Sequence, residues 1–343
     1  MTQDASAHRF LIVRRSSLGD LVHATPIVPV LRASFPDARI DWVVDERWSQ
    51  LMELVEGVDE VITIGTSLAS LVRCVRRLRR GRYTCAVDVQ GRYRTAILAW
   101  LSGAPRRIGP HWDATREPGA ARFYTEQVTP TGKHIAEMTV SLVVHAGARQ
   151  PAELQFPLRV PQDAGSRRLR EELLRQGLRE YVVISPGGGW ISKLWPAERW
   201  GALARELWRR EGLRAVVNIA ENEEQLGQDV ARAAGDAQPQ VVSPSLKELA
   251  VLVEEARLVV GGDTGPVHLA AALGARVVTL FGDTDPVRNG PLPRGVVVKN
   301  FSTPPPTYLR GDYVRGSTHA PAMLSITLEQ VLTAVEQELA ITA

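Results

Sequence analysis

At 343 residues the chain is long enough for two domains of ordinary size, each with its own core. A hydrophobic fraction of 44%, a charged fraction of 23% and no apolar run of the roughly 18 residues that a bilayer span needs exclude an integral helical membrane protein. The polar start, Met1 to His8, and only two cysteines, Cys74 and Cys85, argue against secretion and a disulfide framework and point to the cytoplasm, while a net charge of +3 and a pI near 9.0 suit an anionic substrate or acidic membrane surface.

Phe10 to Val13 reads as a short buried strand, followed by Arg14-Arg15-Ser16-Ser17-Leu18-Gly19-Asp20 and a helix predicted from about Leu21 to Ser34. Ile40 to Val44 and Val58 to Ile64 are further strands, with a helical pattern from Trp48 to Val55 between them. Leu68 to Arg80 is a basic helix, Ala86 to Val89 a strand, and Thr95 to Leu101 a helix. Residues 110–134 are loop-rich, and Ile135 to Ala146 completes this half as a helix. Such βαβα alternation implies a parallel sheet with helices on both faces.

Gln150 to Asp163 carries three prolines and little periodicity, which places a linker there. The alternation then restarts with a strand at Tyr181–Ser185, a helix at Pro196–Arg210 and a strand at Ala215–Ile219. Glu223 to Ala234 is a helix, Val241-Val242 a short strand, and Leu246 to Glu255 a helix. Arg257 to Val260 is a strand ended by Gly261, Gly262 and Asp263. Thr264, Gly265 and Pro266 open a helix from His268 to Leu273, and Val277 to Phe281 is the next strand. Pro304-Pro305-Pro306 starts an irregular segment, and Leu328 to Leu339 is a terminal helix that is expected to pack back across the first domain. A cleft between two such halves is the natural ligand site.

No G-x-G-x-x-G follows the first strand, and neither a P-loop nor a G-x-S-x-G elbow is present, which counts against dehydrogenase, P-loop kinase and serine hydrolase chemistry. The turn at Thr264-Gly265-Pro266 has the makings of a diphosphate site, because free amides sit where the helix dipole is positive and glycine admits a close ligand. It reads equally as an ordinary capped helix. A second loop, Ser185-Pro186-Gly187-Gly188-Gly189-Trp190-Ile191-Ser192-Lys193, leaves a strand for a helix and offers glycine amides with an ammonium; its alternative is a flexible loop with a solvated lysine. Asp20 is either a helix cap or a general base for an acceptor hydroxyl, with His23 a rival for that task. Asp283-Thr284-Asp285 reads as a turn rather than a metal site. Arg73, Arg76, Arg77, Arg79, Arg80 and Arg82 form a run suited to phosphate, or a solvated helix face. No basic-aromatic patch or binding module accompanies it, so nucleic acid is not expected.

The segments FLIVRRSSLGDLVHATP, DWVVDE, VDVQGRYRTA, WDATREP, SPGGGWISKLWP and GGDTGPVHLAAALGARVVTLFGDTDP occur in this order. Together they resemble the bacterial ADP-heptose:lipopolysaccharide heptosyltransferases, most closely the type I branch, whose WDATREP is trailed by Phe123-Tyr124. The resemblance spans nearly the whole chain. It implies an α/β GT-B fold of two Rossmann-like domains, the acceptor bound in residues 1–155, the donor in 156–325, and a C-terminal helix in 326–343. It also implies an inverting transfer from an ADP-heptose donor to an anionic glycolipid acceptor, Kdo-lipid A. No metal and no cofactor are implied, and peripheral contact with the inner membrane is.

By position, Asp20 falls on the family's catalytic base, Lys193 on its phosphate-contacting lysine, and Asp263, Thr264, Gly265 and His268 on its nucleotide-diphosphate motif. Gly187 and Gly188 join these on the donor side, and Glu223 is a looser match to the acid that holds the ribose. Ser17, Gly19, Gln90 and Arg116, with Arg76 and Arg77 of the basic helix, are the acceptor-side candidates. The glycine triplet Gly187-Gly188-Gly189 departs from the type I pattern and Pro266-Val267 stands at a variable place. A different acceptor (an outer-core sugar, a protein or a small molecule) and a nucleotide-sugar epimerase on the same scaffold are the alternatives.

Overall fold

The computed structural model describes residues 8–300 and 318–340; the Pro304-Pro305-Pro306 segment lies outside the described residues. The chain divides into two compact units between Arg159 and Val160.

In the first unit the strands are β1 Arg9–Val13, β2 Arg39–Asp45, β3 Glu60–Ile64, β4 Cys85–Asp88, β5 Arg106–Pro110 and β6 Glu126–Val128. All pair in parallel, in the order β3-β2-β1-β4-β5-β6. In the second they are β7 Tyr181–Ser185, β8 Arg214–Asn218, β9 Gln240–Val242, β10 Leu258–Gly262, β11 Val277–Leu280 and β12 Val296–Val298, again all parallel, in the order β12-β11-β10-β7-β8-β9. Counted from each unit's own first strand, both sheets read 3-2-1-4-5-6, the doubly wound order of a nucleotide-binding fold. The α/β class expected of a GT-B protein is therefore present in both units.

Parallel strands covered by helices on both faces are buried on both sides, so they need apolar runs rather than alternation. β1 supplies Phe10-Leu11-Ile12-Val13 and β7 supplies Tyr181-Val182-Val183-Ile184, all buried. The second core also takes in Trp195 and Trp200, which meet edge to face at 4.9 Å between ring centroids. Cys74 and Cys85 are free, buried thiols, and burial pushes them up to about 11 and 12.

Several elements depart from expectation for identifiable reasons. The first long helix is two, Leu18–Ala24 and Ile27–Ser34. Pro26 has no amide to continue the ladder, and Thr25 instead donates both its N–H (3.1 Å) and its hydroxyl (2.8 Å) to the Val22 carbonyl. The helix expected over Trp48–Val55 is a 3₁₀ turn, Glu46–Trp48, and one helical turn, Ser49–Met52. Helix Ala164–Arg175 stands where none was expected; it buries only Ser166 and Leu173, so its sequence carries no apolar stripe. The terminal helix, Leu328–Ala340, packs on the second sheet: Val331, Leu332 and Val335 lie in the core with Trp195 and Trp200, and Arg210 pairs with Glu336 at 2.9 Å. Burying each such valine or leucine is worth roughly 1.5–3 kcal/mol, enough to fix where an amphipathic helix docks.

Candidate functional site

Where the strand order of a doubly wound sheet reverses, the loops at the carboxyl ends of two neighbouring strands splay apart and leave a crevice for a ligand. The reversal falls between β1 and β4 in the first unit and between β7 and β10 in the second. Most of the candidate residues gather at these two places.

After β1 the chain turns into helix Leu18–Ala24. Its N-cap is Ser17, and Asp20 occupies the third helical position, returning to the cap rather than being it. Ser17 donates its backbone N–H (3.2 Å) and its hydroxyl (2.9 Å) to Asp20 Oδ2. The other oxygen, Oδ1, lies 2.9 Å from Arg14 Nη2. Arg14 is buried, its side chain 8% exposed, and its Nη1 donates to the Val89 carbonyl at 2.7 Å, whereas the Asp20 side chain is 44% exposed. Burial pushes the Asp20 carboxyl up, but Arg14, the two Ser17 hydrogen bonds and His23 outweigh it and bring it down to about 2. Asp20 is thus ionised at neutral pH, the state a general base requires.

Gln90, just beyond β4, accepts a hydrogen bond from Arg15 N–H at 2.9 Å and so ties the β4 loop to the β1 loop. The Gln90 and Gly91 amides donate to Asp88 Oδ1 at 2.9 and 3.2 Å, and the Tyr124 hydroxyl donates to Asp88 Oδ2 at 2.7 Å. Burial raises the Asp88 pKa in spite of these bonds. Gly109 makes room for this arrangement, since a Cβ there would collide with the Tyr124 ring. The Thr115 hydroxyl donates to the Gly91 carbonyl, which seats the loop bearing the exposed Arg116 beside Gln90. Ser17, Gly19, Asp20, Gln90 and Arg116 therefore share the carboxyl edge of the first sheet.

Arg76 and Arg77 do not join them. Helix Leu68–Gly81 runs back toward the amino ends of the strands, and Arg77 pairs with Glu60, the first residue of β3, which also binds Arg39 Nη2 at 2.5 Å. A five-residue strand spans about 16 Å, so these arginines sit at the opposite edge from Asp20, and the acceptor role expected of them is corrected on that ground. Arg14 and Asp88 are the groups that sequence reasoning missed. The one available signal was a basic residue directly after the apolar run Phe10–Val13.

In the second unit, Lys193 Nζ lies 2.7 Å from Asp263 Oδ2, and His268 Nε2 lies 2.9 Å from Asp263 Oδ1. Burial raises the Asp263 pKa, but the His268 hydrogen bond and the Lys193 ammonium dominate and hold this carboxyl far below the usual range. Asp263 thus fixes two side chains at the start of helix Gly265–Ala272, where Thr264 is the N-cap and no side chain caps the amides. Glu223 Oε1 accepts from Gly188 N–H at 3.2 Å and Oε2 from Ala220 N–H at 3.0 Å, joining the glycine loop to the β8 loop. A Cβ on Gly187 would strike the Glu223 carboxylate, and one on Gly188 would press on the Thr264 methyl group at 3.2 Å. Gly187, Gly188, Lys193, Glu223, Asp263, Thr264, Gly265 and His268 accordingly lie together. A cation, an uncapped helix start and a side-chain-free loop are the chemistry that suits a diphosphate. Asp285 caps the short helix after it, accepting from Val287 N–H at 2.9 Å.

The pattern of glycosyltransferase family 9 (heptosyltransferase) is matched over residues 71–305. Lipopolysaccharide heptosyltransferase 1 of Pseudomonas aeruginosa is 31% identical over 306 residues, which cover 84% of this chain and 82% of that protein. The solved E. coli heptosyltransferase WaaC with ADP superposes with a TM-score of 0.75 at 26% identity, covering 96% of this chain and 99% of that one. A glycosyltransferase family 9 structure from Veillonella parvula DSM 2008 reaches a TM-score of 0.82 at 22% identity, with 98% of each chain covered, and shares the fold.

Proposed function

The chain belongs to glycosyltransferase family 9, the heptosyltransferases, and on that premise we propose that it moves heptose from ADP-heptose to an inner-core lipopolysaccharide acceptor, Kdo-lipid A, with inversion at the anomeric carbon. The observation that carries this reading is the Lys193–Asp263–His268 cluster at the uncapped start of helix Gly265–Ala272. Lys193 and the helix amides hold the diphosphate of ADP, and Glu223, fixed by the Gly188 and Ala220 amides, accepts from the ribose hydroxyls. An acceptor hydroxyl beside Asp20 attacks the anomeric carbon as the bond from that carbon to the diphosphate oxygen breaks. The leaving electrons settle on the diphosphate, where Lys193 and the oriented amides meet them, and the hydroxyl proton passes to Asp20. Gln90 and Arg116 flank the acceptor. A lipid-borne acceptor puts the enzyme in the cytoplasm, in peripheral contact with the inner membrane.

The test is ADP-heptose incubated with Kdo-lipid A. One ADP released per heptosylated lipid is the expected result. An epimerised donor, or ADP release that ignores the acceptor, would overturn the assignment.

A further inference from the structure

Helix Leu68–Gly81 turns an uncommon combination of side chains to solvent. Its buried stripe is Ser70, Cys74 and Leu78, spaced four apart. On the rest of its surface, the first turns carry Leu68 (75% exposed), Leu71 (37%) and Val72 (40%). Arg73, Arg76, Arg79 and Arg80 follow, all exposed. The helix contains no Asp or Glu. Of the acids near it, Glu46 lies by Gly65 at the helix's amino-terminal end and Glu60 is engaged by Arg77 and Arg39; among the described residues no ion pair involves the other four arginines. Soluble surfaces scatter large apolar residues singly and intersperse both signs of charge; this face does neither.

We propose that this face seats the protein on a bilayer containing anionic phospholipid. Leu68, Leu71 and Val72 enter the boundary between headgroups and acyl chains, and Arg73, Arg76, Arg79 and Arg80 bind phosphates with their planar guanidinium forks. Charge complementarity selects this occupant, because an acid-free arginine row next to exposed leucines matches a surface that is anionic outside and apolar beneath. The helix begins just past the carboxyl end of β3, so its apolar end lies toward the edge of the sheet that carries Asp20. That end is the one suited to an acceptor drawn from the same bilayer. The proposal rests on the heptosyltransferase reading for its biological sense, but lipid binding alone decides it.

The experiment is co-sedimentation of the full chain with phosphatidylcholine vesicles, with and without phosphatidylglycerol, beside turnover assays on vesicle-embedded and on deacylated acceptor. Wild type should bind the anionic vesicles, bind the zwitterionic ones weakly, and release with salt. The Arg73→Gln/Arg80→Gln double variant should bind anionic vesicles on the order of 30-fold more weakly. Leu68→Ser/Leu71→Ser/Val72→Ser should lose the salt-resistant fraction. Both variants should keep wild-type turnover on deacylated acceptor and lose it on vesicles, which also shows that they fold. Unchanged vesicle binding in both variants would overturn the proposal. So would a shift in oligomeric state confined to the leucine variant, which would make this face a contact between copies. Vesicle binding without any heptosyl transfer would instead leave the surface standing and sink the proposed function.

Discussion

At the reversal point of the first sheet a buried arginine, Arg14, backs a half-exposed carboxylate, Asp20; at that of the second a buried carboxylate, Asp263, backs the more exposed ammonium of Lys193. The strand order is the same, but the helix start follows the first strand in one unit and the fourth in the other, and the order of the two charges is inverted. Topology therefore fixes where a crevice lies, while the choice of which ion is buried fixes what the crevice presents. On the proposed function, one unit offers a proton acceptor and the other a cation for phosphate. Each reactive group is held by a counter-ion with 8% side-chain exposure, so neither is free to wander.

The sharpest way to break this contrast is to delete the outward ion on each side. Asp20→Ala should lower turnover roughly 100- to 10,000-fold while leaving the donor KM nearly unchanged, as steady-state kinetics will read. Lys193→Ala should reduce kcat/KM for the donor by roughly 100-fold and weaken ADP in calorimetry, because a fixed charge at the leaving group is lost. If both variants changed only the donor KM, the division of labour between the units would be wrong.

Changing an inward ion tests the backing itself. Arg14→Met removes the cation that opposes burial at Asp20, so its carboxyl should climb from about 2. Since the ionised form is the proposed base, kcat/KM should then fall as the pH drops through the new, higher value; wild type and Arg14→Lys should show no such limb in the neutral range. In the second unit, Gly187→Ala should displace Glu223 from the Gly188 and Ala220 amides and weaken ADP roughly tenfold, in line with a 1–3 kcal/mol overpacking penalty. The smallest effect is on stability. Asp20 has a lowered pKa, so its contribution is full above its unfolded value of 3.8 and disappears as the pH falls through about 2. For a half-exposed group this amounts to about 1 kcal/mol, visible as a drop in Tm between those values that Asp20→Asn abolishes.

The sequence announces strands such as β1, β7 and β10 because burial on both faces demands unbroken apolar runs. β5, Arg106-Arg107-Ile108-Gly109-Pro110, hides because it opens with two arginines and ends in Gly-Pro. β6 hides because only Val128 of its three residues is apolar, while β12 goes unpredicted although, like the equally short β9, it carries an apolar run. The second unit's site was legible from its glycine turns and its lone lysine, since turn chemistry is local. The first unit's was only half legible. Asp20 stood out, yet its counter-ion and its exact helical position depend on where the helix starts, which Ser17 decides, and on the Val89 carbonyl just past β4, 75 residues away, that receives Arg14. The terminal helix's place on the second sheet was hidden for a similar reason, because an amphipathic pattern says that a face is buried but not against which sheet.

The Phe123-Tyr124 pair that helped mark the family resemblance has a use that no substrate contact would reveal. Tyr124, Asp88 and Gln90 form a hidden strut from the interior to the Arg15 amide at the mouth of the β1 loop, and Gly109 leaves the gap through which it passes. Damage to the strut would be felt at its tip. A genetic screen for inactive but folded enzyme should therefore recover lesions at Gly109 and Tyr124, to neither of which the proposed mechanism assigns a substrate contact.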